Sequence, residues 1–307
     1  MGSDIIRYYD SNTLRFLRFG HGRGKGAIHR AVWAEGVTTR DEAIDYVHTL
    51  IREVILDQGA CRILDIGCGI GGSMTVLAGI PGTVFQGITI SPVQVRIGRR
   101  YLQESGCADS CGISEGDFLE IETESLLNTG AAPGRYDLCY AVESFLHMKD
   151  PDEFFRKAAV VLSPGGRLLI CDDFLVSGDG EGAIEQSGAR NSLPNGSGST
   201  IRMEDQARRI LLERFQKGWH VTNLLSGEAV NEKARRYGFQ QTRAIDLSPY
   251  LELRRPRDRL ISFLMFFLGG LPLRAPFWQN MQGGDALQKL LLKGTLQYCF
   301  LGFEKKR

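Results

Sequence analysis

No charge of either sign dominates this sequence: 37 Lys and Arg stand against 36 Asp and Glu, a formal charge of +1. A general grip on nucleic acid normally needs a strongly basic face, so no nucleic-acid partner is expected. Long apolar runs are also missing. The longest, Leu260 to Leu273, is interrupted by Gly269, Gly270 and Pro272 and bounded by Arg259 and Arg274. A spanning helix needs about 20 apolar residues, so no membrane-spanning segment is expected. The run reads first as a buried helix, with a lid or a lipid-touching surface as alternatives. No N-terminal stretch has the charged-then-apolar form of a signal peptide. The seven cysteines are odd in number and sparse for a chain of 307 residues. Reduced thiols and a cytoplasmic setting are therefore expected. Cys107 and Cys111 lie four apart, but no second pair completes a zinc set, and no carboxylate cluster calls for a metal. Apolar residues at 43% and charged residues at 24% are ordinary globular values, which excludes disorder, collagen or coiled coil for the whole chain. The length suits two average domains or one enlarged α/β domain.

Short apolar runs recur at Cys61 to Ile66, Thr83 to Ile90, Tyr136 to Val142 and Arg167 to Phe174. Helical stretches separate them at Met74 to Gly79, Pro92 to Glu104 and Pro151 to Leu162. Strands alternating with helices across short Gly- or Pro-bearing links predict a parallel sheet covered on both faces, a doubly wound α/β fold. Ser91-Pro92 is a helix start, a cap followed by proline at the first position. From Gly178 to Ser199 the chain is rich in Gly, Ser, Glu and Asn, which predicts a long mobile loop. Helical patterning resumes at Glu204 to Gln216, and Ser226 caps a helix ending at Tyr237-Gly238. Strands are expected at Phe239 to Leu247 and Leu296 to Phe303.

Leu64-Asp65-Ile66-Gly67-Cys68-Gly69-Ile70-Gly71-Gly72 sits between a strand and a helix. Its Gly67, Gly69 and Gly72 fit G-x-G-x-x-G, a turn that lets the backbone approach an adenosine-bearing ligand. Two residues before the first glycine, Asp65 lies at the carboxyl edge of the sheet, where it suits a cation better than a pyrophosphate. A nicotinamide enzyme wants an acid about 20 residues on. Here the second strand ends Gly87-Ile88-Thr89-Ile90-Ser91, with no acid. Both features favour S-adenosylmethionine, whose ammonium and sulfonium are positive.

On these residues the sequence resembles the class I S-adenosylmethionine-dependent methyltransferases. LDIGCGIGG is similar to their first motif. GITISPVQVRIG is similar to the second-strand motif of a subgroup that holds tocopherol, sterol and geranyl diphosphate C-methyltransferases and cyclopropane fatty-acid synthases. The resemblance implies a seven-stranded Rossmann-like sheet and a ribose held by Thr89, Ile90 and Gln94. It also implies that Asp117 meets the adenine amino group and Phe118 the adenine ring, within Glu115-Gly116-Asp117-Phe118. Ala141, on the fourth strand, would line the cofactor site. An N-terminal tyrosine, Tyr8 or Tyr9, would approach the methionine moiety, as such segments do in related enzymes.

The fourth strand runs into Glu143-Ser144-Phe145-Leu146-His147, and a parallel strand's carboxyl end opens into the crevice. Glu143 and His147 are thus the candidate catalytic residues. Glu143-Ser144 is similar in order to geranyl diphosphate C-methyltransferase, which implies a glutamate that faces a developing carbocation and then removes a proton. His147 as a base would instead give O- or N-methylation. Structural alternatives stand beside both: Glu143 as a helix cap and His147 as core. The N-terminal segment carries Arg15, Arg18, His21, Arg23, Lys25, His29 and Arg30, a diphosphate site or a solvated arm. The C-terminal third is rich in Phe, Leu and Met, including Phe263, Met265, Phe277 and Trp278, which suits a greasy acceptor or an ordinary core.

Three regions are expected: a helical arm over the cofactor at 1–50, a cofactor-binding core at 51–176, and a mobile loop, helical lid and closing strands at 177–307. The expected activity is methyl transfer to a small apolar natural product, at a carbon of an isoprenoid or lipid-like acceptor. O- or N-methylation of a metabolite and non-catalytic cofactor binding are the alternatives. Assembly as a homo-oligomer is left open.

Overall fold

The computed structural model describes residues 29–129, 133–177, 199–268 and 276–307. Seven strands form one sheet: β1 (Arg62–Ile66), β2 (Val84–Thr89), β3 (Cys111–Glu115), β4 (Tyr136–Val142), β5 (Leu162–Leu175), β6 (Phe239–Asp246) and β7 (Leu296–Lys305). Their order is β3-β2-β1-β4-β5-β7-β6. Strands β1 to β5 are parallel, and β7 runs antiparallel between β5 and β6. The seven-stranded, doubly wound sheet and its reversed closing strand follow the expectation from sequence.

Helices among the described residues are α1 (Arg40–Gln58), α2 (Gly72–Leu77), α3 (Pro92–Glu104), α4 (Thr123–Leu127), α5 (Pro151–Val161), α6 (Ser199–Trp219), α7 (Gly227–Arg236), α8 (Pro256–Leu268) and α9 (Pro276–Leu292). Local chemistry sets their ends. Thr39 and Glu42 form a capping box before α1, and left-handed Gly59 closes it. Ser91, Asp150 and Ser226 each accept a backbone N–H at the start of α3, α5 and α7.

One sheet face buries Ile51, Ile55, Leu77 and Leu102 from α1, α2 and α3 against Phe85, Tyr140 and Phe300. The other buries Phe154, Phe155, Val230 and Ala234 of α5 and α7 against Leu64, Leu168 and Phe303. A smaller core joins α6 to α9 through Leu212, Phe215, Leu287 and Leu290. Gly218 and Gly283 let these two helices touch: a Cβ on Gly218 would stand 2.7 Å from the Gly283 Cα.

α1 runs from Arg40 to Gln58, across residue 50. The stretch 178–198 and Tyr8 and Tyr9 lie outside the described residues. The first part of the apolar run lies in helix α8, where Leu260 and Phe263 are 59% and 60% exposed and Ser262 Oγ donates to Asp285 of α9 at 2.5 Å; residues 269–273 lie outside the described residues.

Candidate active site

The crevice lies at the carboxyl ends of β1, β2 and β4, where the chain order reverses and parallel sheets bind ligands. Gly67 ends β1 with φ +83°. A Cβ there would come within 2.4 Å of the Ser144 Cβ, so only glycine allows the first loop to lie against the fourth. Ser144 Oγ in turn donates to the Ile66 carbonyl at 2.6 Å. Gly69 is also left-handed, and a Cβ on it would face open space. The backbone thus presents a bare loop to whatever occupies the crevice, while Gly72 starts α2.

Asp65 pairs laterally with Gly87 of β2 and Tyr140 of β4. It is 3% exposed, and burial pushes its carboxyl up to about 7, against the opposing hydrogen bond from the Tyr140 hydroxyl at 2.9 Å. A buried acid held in this way gains from a nearby ammonium and would be further penalised by a phosphate.

At the end of β2, Thr89 Oγ1 donates to Gln94 Oε1 at 2.6 Å. Ser91 accepts the Gln94 N–H at 3.1 Å, which fixes the first turn of α3 beside the strand end. Thr89, Ile90 and Gln94 are thereby brought together at one edge of the crevice. Asp117 caps the turn after β3, its Oδ1 accepting the Leu119 N–H at 2.9 Å. Phe118 follows it; its ring is 2% exposed and packs edge-on against Phe154 at 5.5 Å. Ala141 is fully buried in β4 opposite Ile170 of β5.

Glu143 follows β4 in a left-handed conformation, φ +50°, with its N–H donating to the Cys171 carbonyl at 2.8 Å. One carboxylate oxygen, Oε1, accepts two bonds. The Tyr298 hydroxyl of β7 donates at 3.0 Å and the Arg30 N–H at 3.1 Å. Arg30 is itself clamped: its guanidinium makes two 2.5 Å hydrogen bonds to Asp173 and lies 4.6 Å from the Tyr298 ring centroid. Beside it, Asp172 accepts the Leu146 and Asp173 N–H groups, and burial pushes its carboxyl up to about 8.

His147 ends a 3-10 turn (Phe145–His147), and its Nδ1 donates to the His220 carbonyl at 3.2 Å. That bond places a proton on Nδ1, and burial lowers the pKa, which favours the neutral imidazole. His29 and His48 both reach Ser73 Oγ on α2, at 2.8 and 3.2 Å. Burial and the neighbouring His48 lower His29 to about 4.

The structure thus brings together Asp65, Gly67, Gly69, Thr89, Gln94, Ala141 and Glu143, with His147 one turn beyond. Sequence reasoning missed Tyr298, Asp172 and Asp173. Two adjacent acids inside the apolar run Leu168 to Leu175 were the signal that could have marked the latter pair.

The chain belongs to the methyltransferase domain family, whose match runs over residues 2–244. Among curated relatives it is similar to a probable tocopherol O-methyltransferase, chloroplastic, of Oryza sativa subsp. japonica. Identity there is 38% over 108 residues, 35% of this chain and 28% of that one. Matches of this kind span about a third of the curated relatives' own length. Among solved structures it resembles a geranyl diphosphate C-methyltransferase of Streptomyces coelicolor A3(2), with 16% identity, a TM-score of 0.61, and 99% and 97% of the two chains covered. A cyclopropane synthase of Mycobacterium tuberculosis gives 17% identity and a TM-score of 0.68 over 99% and 98%. At those identities the likeness is one of fold.

Proposed function

We propose that the chain is a methyltransferase that takes its methyl group from S-adenosylmethionine and delivers it to a carbon of a small, isoprenoid- or lipid-like acceptor. Asp65 would meet the cofactor's ammonium, Thr89 and Gln94 its ribose, and Asp117 its adenine amino group. The cofactor supplies an electrophilic methyl on a thioether leaving group. Asp173 is paired with Arg30, and burial favours the protonated forms of Asp65 and Asp172, which leaves Glu143 and an ionisable Asp65 to meet a positive group. A cation entering the crevice favours ionisation of Asp65, whereas a dinucleotide's phosphates would oppose it.

The observation that carries the carbon-acceptor reading is the seat of Glu143. Its carboxylate is half-buried, strained at its own backbone, and oriented by two donors on a single oxygen. Once an alkene carbon takes the methyl group, positive charge develops on the neighbouring carbon. A preorganised carboxylate stabilises that charge and then takes the adjacent proton, which regenerates the double bond. The remaining barrier is one of alignment, which a closed crevice supplies. His147 supports a second reading, O- or N-methylation: its neutral ring is able to accept a proton. The rice relative is named for O-methylation.

The test uses S-adenosylmethionine with an isotopically labelled methyl, incubated with the protein and an organic-soluble cell extract. NMR then locates the label. Label on carbon supports the Glu143 reading, and label on oxygen or nitrogen moves the base to His147. Tight binding of the demethylated cofactor without any transfer would leave a non-catalytic binder.

A further inference from the structure

In its first two turns α8 places polar groups on the protein side, beside a half-buried Ile261: Asp258 is 8% exposed, and Ser262 Oγ donates to Asp285 of α9 at 2.5 Å. Its exposed groups include Leu260 and Phe263, at 59% and 60%. A surface helix of a water-soluble domain normally does the reverse.

Charge is sorted in the same direction. Asp258 is taken by Arg255 at 2.9 Å and approached by Arg257 at 3.6 Å. Asp285 is held by Lys289 at 2.6 Å, and Glu252 by Arg40 at 2.6 Å. These three acids are therefore paired. Arg254 and Arg259 make no ion pair among the described residues, and Arg254, Arg257 and Arg259 are exposed. In a chain of formal charge +1 this is a local excess. Six residues before the helix, Tyr250 is 41% exposed, and its carbonyl accepts the N–H of Trp33, itself 36% exposed. Such amphipathic rings suit a boundary between water and hydrocarbon.

We propose that Arg254, Arg257, Arg259, Leu260 and Phe263 form a docking face for an anionic lipid bilayer. The arginines match headgroup phosphates, and the two apolar side chains enter the acyl boundary between them. At 13 residues α8 is too short to span, so it would lie in the interface plane and bind reversibly. This surface is independent of which atom the enzyme methylates.

The test is flotation of the full chain with vesicles of phosphatidylglycerol and phosphatidylcholine, beside vesicles of phosphatidylcholine alone. The chain should float with the anionic vesicles only. Leu260→Glu with Phe263→Glu should lower binding at least about tenfold. Arg254→Gln, Arg257→Gln and Arg259→Gln together should abolish the preference for anionic lipid, and they keep the proposal testable should the apolar variant misfold. Absence of flotation, or equal flotation of every variant, overturns it. So does light scattering that shows a dimer broken by the Leu260→Glu and Phe263→Glu changes without vesicle binding, for then the face joins two copies of this chain.

Discussion

Glu143 sits where a non-glycine residue pays in backbone strain, of the order of 1–3 kcal/mol, and such strain persists only where its surroundings enforce it. Here the enforcing partners are the Cys171 carbonyl, the Tyr298 hydroxyl and the Arg30 N–H. If the carboxylate acts on the acceptor, Glu143→Gln keeps both hydrogen bonds yet loses the base. Turnover should fall by about 10²–10⁴ while affinity for S-adenosylhomocysteine, read by calorimetry, stays within a factor of two or so. An equal loss of both would make Glu143 an anchor for residue 30 and nothing more. Asp65 makes a different prediction. Its carboxyl titrates at about 7 in the unliganded protein, so a cationic ligand finds it protonated at lower pH and ionised above. Binding of S-adenosylmethionine should therefore tighten as pH rises through 7. Asp65→Asn should flatten that dependence, and a slope that survives the substitution would assign it to another group.

Several elements were legible before any coordinate. Ser91-Pro92 announces α3 because a cap and a proline at the first position act within one turn. The glycine loop and the Thr89–Gln94 pair are local in the same sense, five residues apart at most across the bond. What was not legible is contact at long range. Arg30 meets Asp173 across 143 positions and Tyr298 meets Glu143 across 155. Periodicity reports which face of an element is apolar and is silent about which strand will lie opposite. The same holds for the packing of Phe118 on Phe154 across 36 positions: an aromatic at a strand end does not announce its neighbour. The Arg30–Asp173 clamp ties the segment before α1 to β5, with side chains 18% and 0% exposed. Removing one partner leaves a buried charge without compensation. Arg30→Ala should cost about 3–5 kcal/mol in chemical denaturation, and the pair Arg30→Met with Asp173→Leu much less. Equal losses for the single and double variants would show that the clamp acts through packing on Tyr298.

At the scale of the whole molecule, the sheet is closed on both faces by helices, and its unpaired chemistry is gathered at one edge. That edge holds protons the unfolded chain would release. Asp65 and Asp172 have an ordinary value of 3.8 and are raised to about 7 and about 8. Their contribution to stability is complete below 3.8 and lost as pH rises through 7 and 8. His29 works in the opposite sense. Its pKa falls from 6.5 to about 4, so its contribution is present above 6.5 and lost as pH falls toward 4. Between about pH 4 and 6.5 the histidine therefore offsets part of the effect of the two acids. Above 6.5 His29 is neutral in both states and the acids act unopposed. The denaturation midpoint of the unliganded chain should thus fall most steeply between about pH 6.5 and 7 and continue to fall, less steeply, to about 8. Asp172→Asn should abolish the fall above about 7, and either Asp172→Asn or Asp65→Asn should roughly halve it between about 6.5 and 7. Saturating S-adenosylmethionine should also suppress the Asp65 share, because an ammonium beside the carboxyl favours its ionised form. A midpoint that stays level over this range in the unliganded chain would mean that both acids are already ionised, and the crevice would then carry its full negative charge before the cofactor arrives.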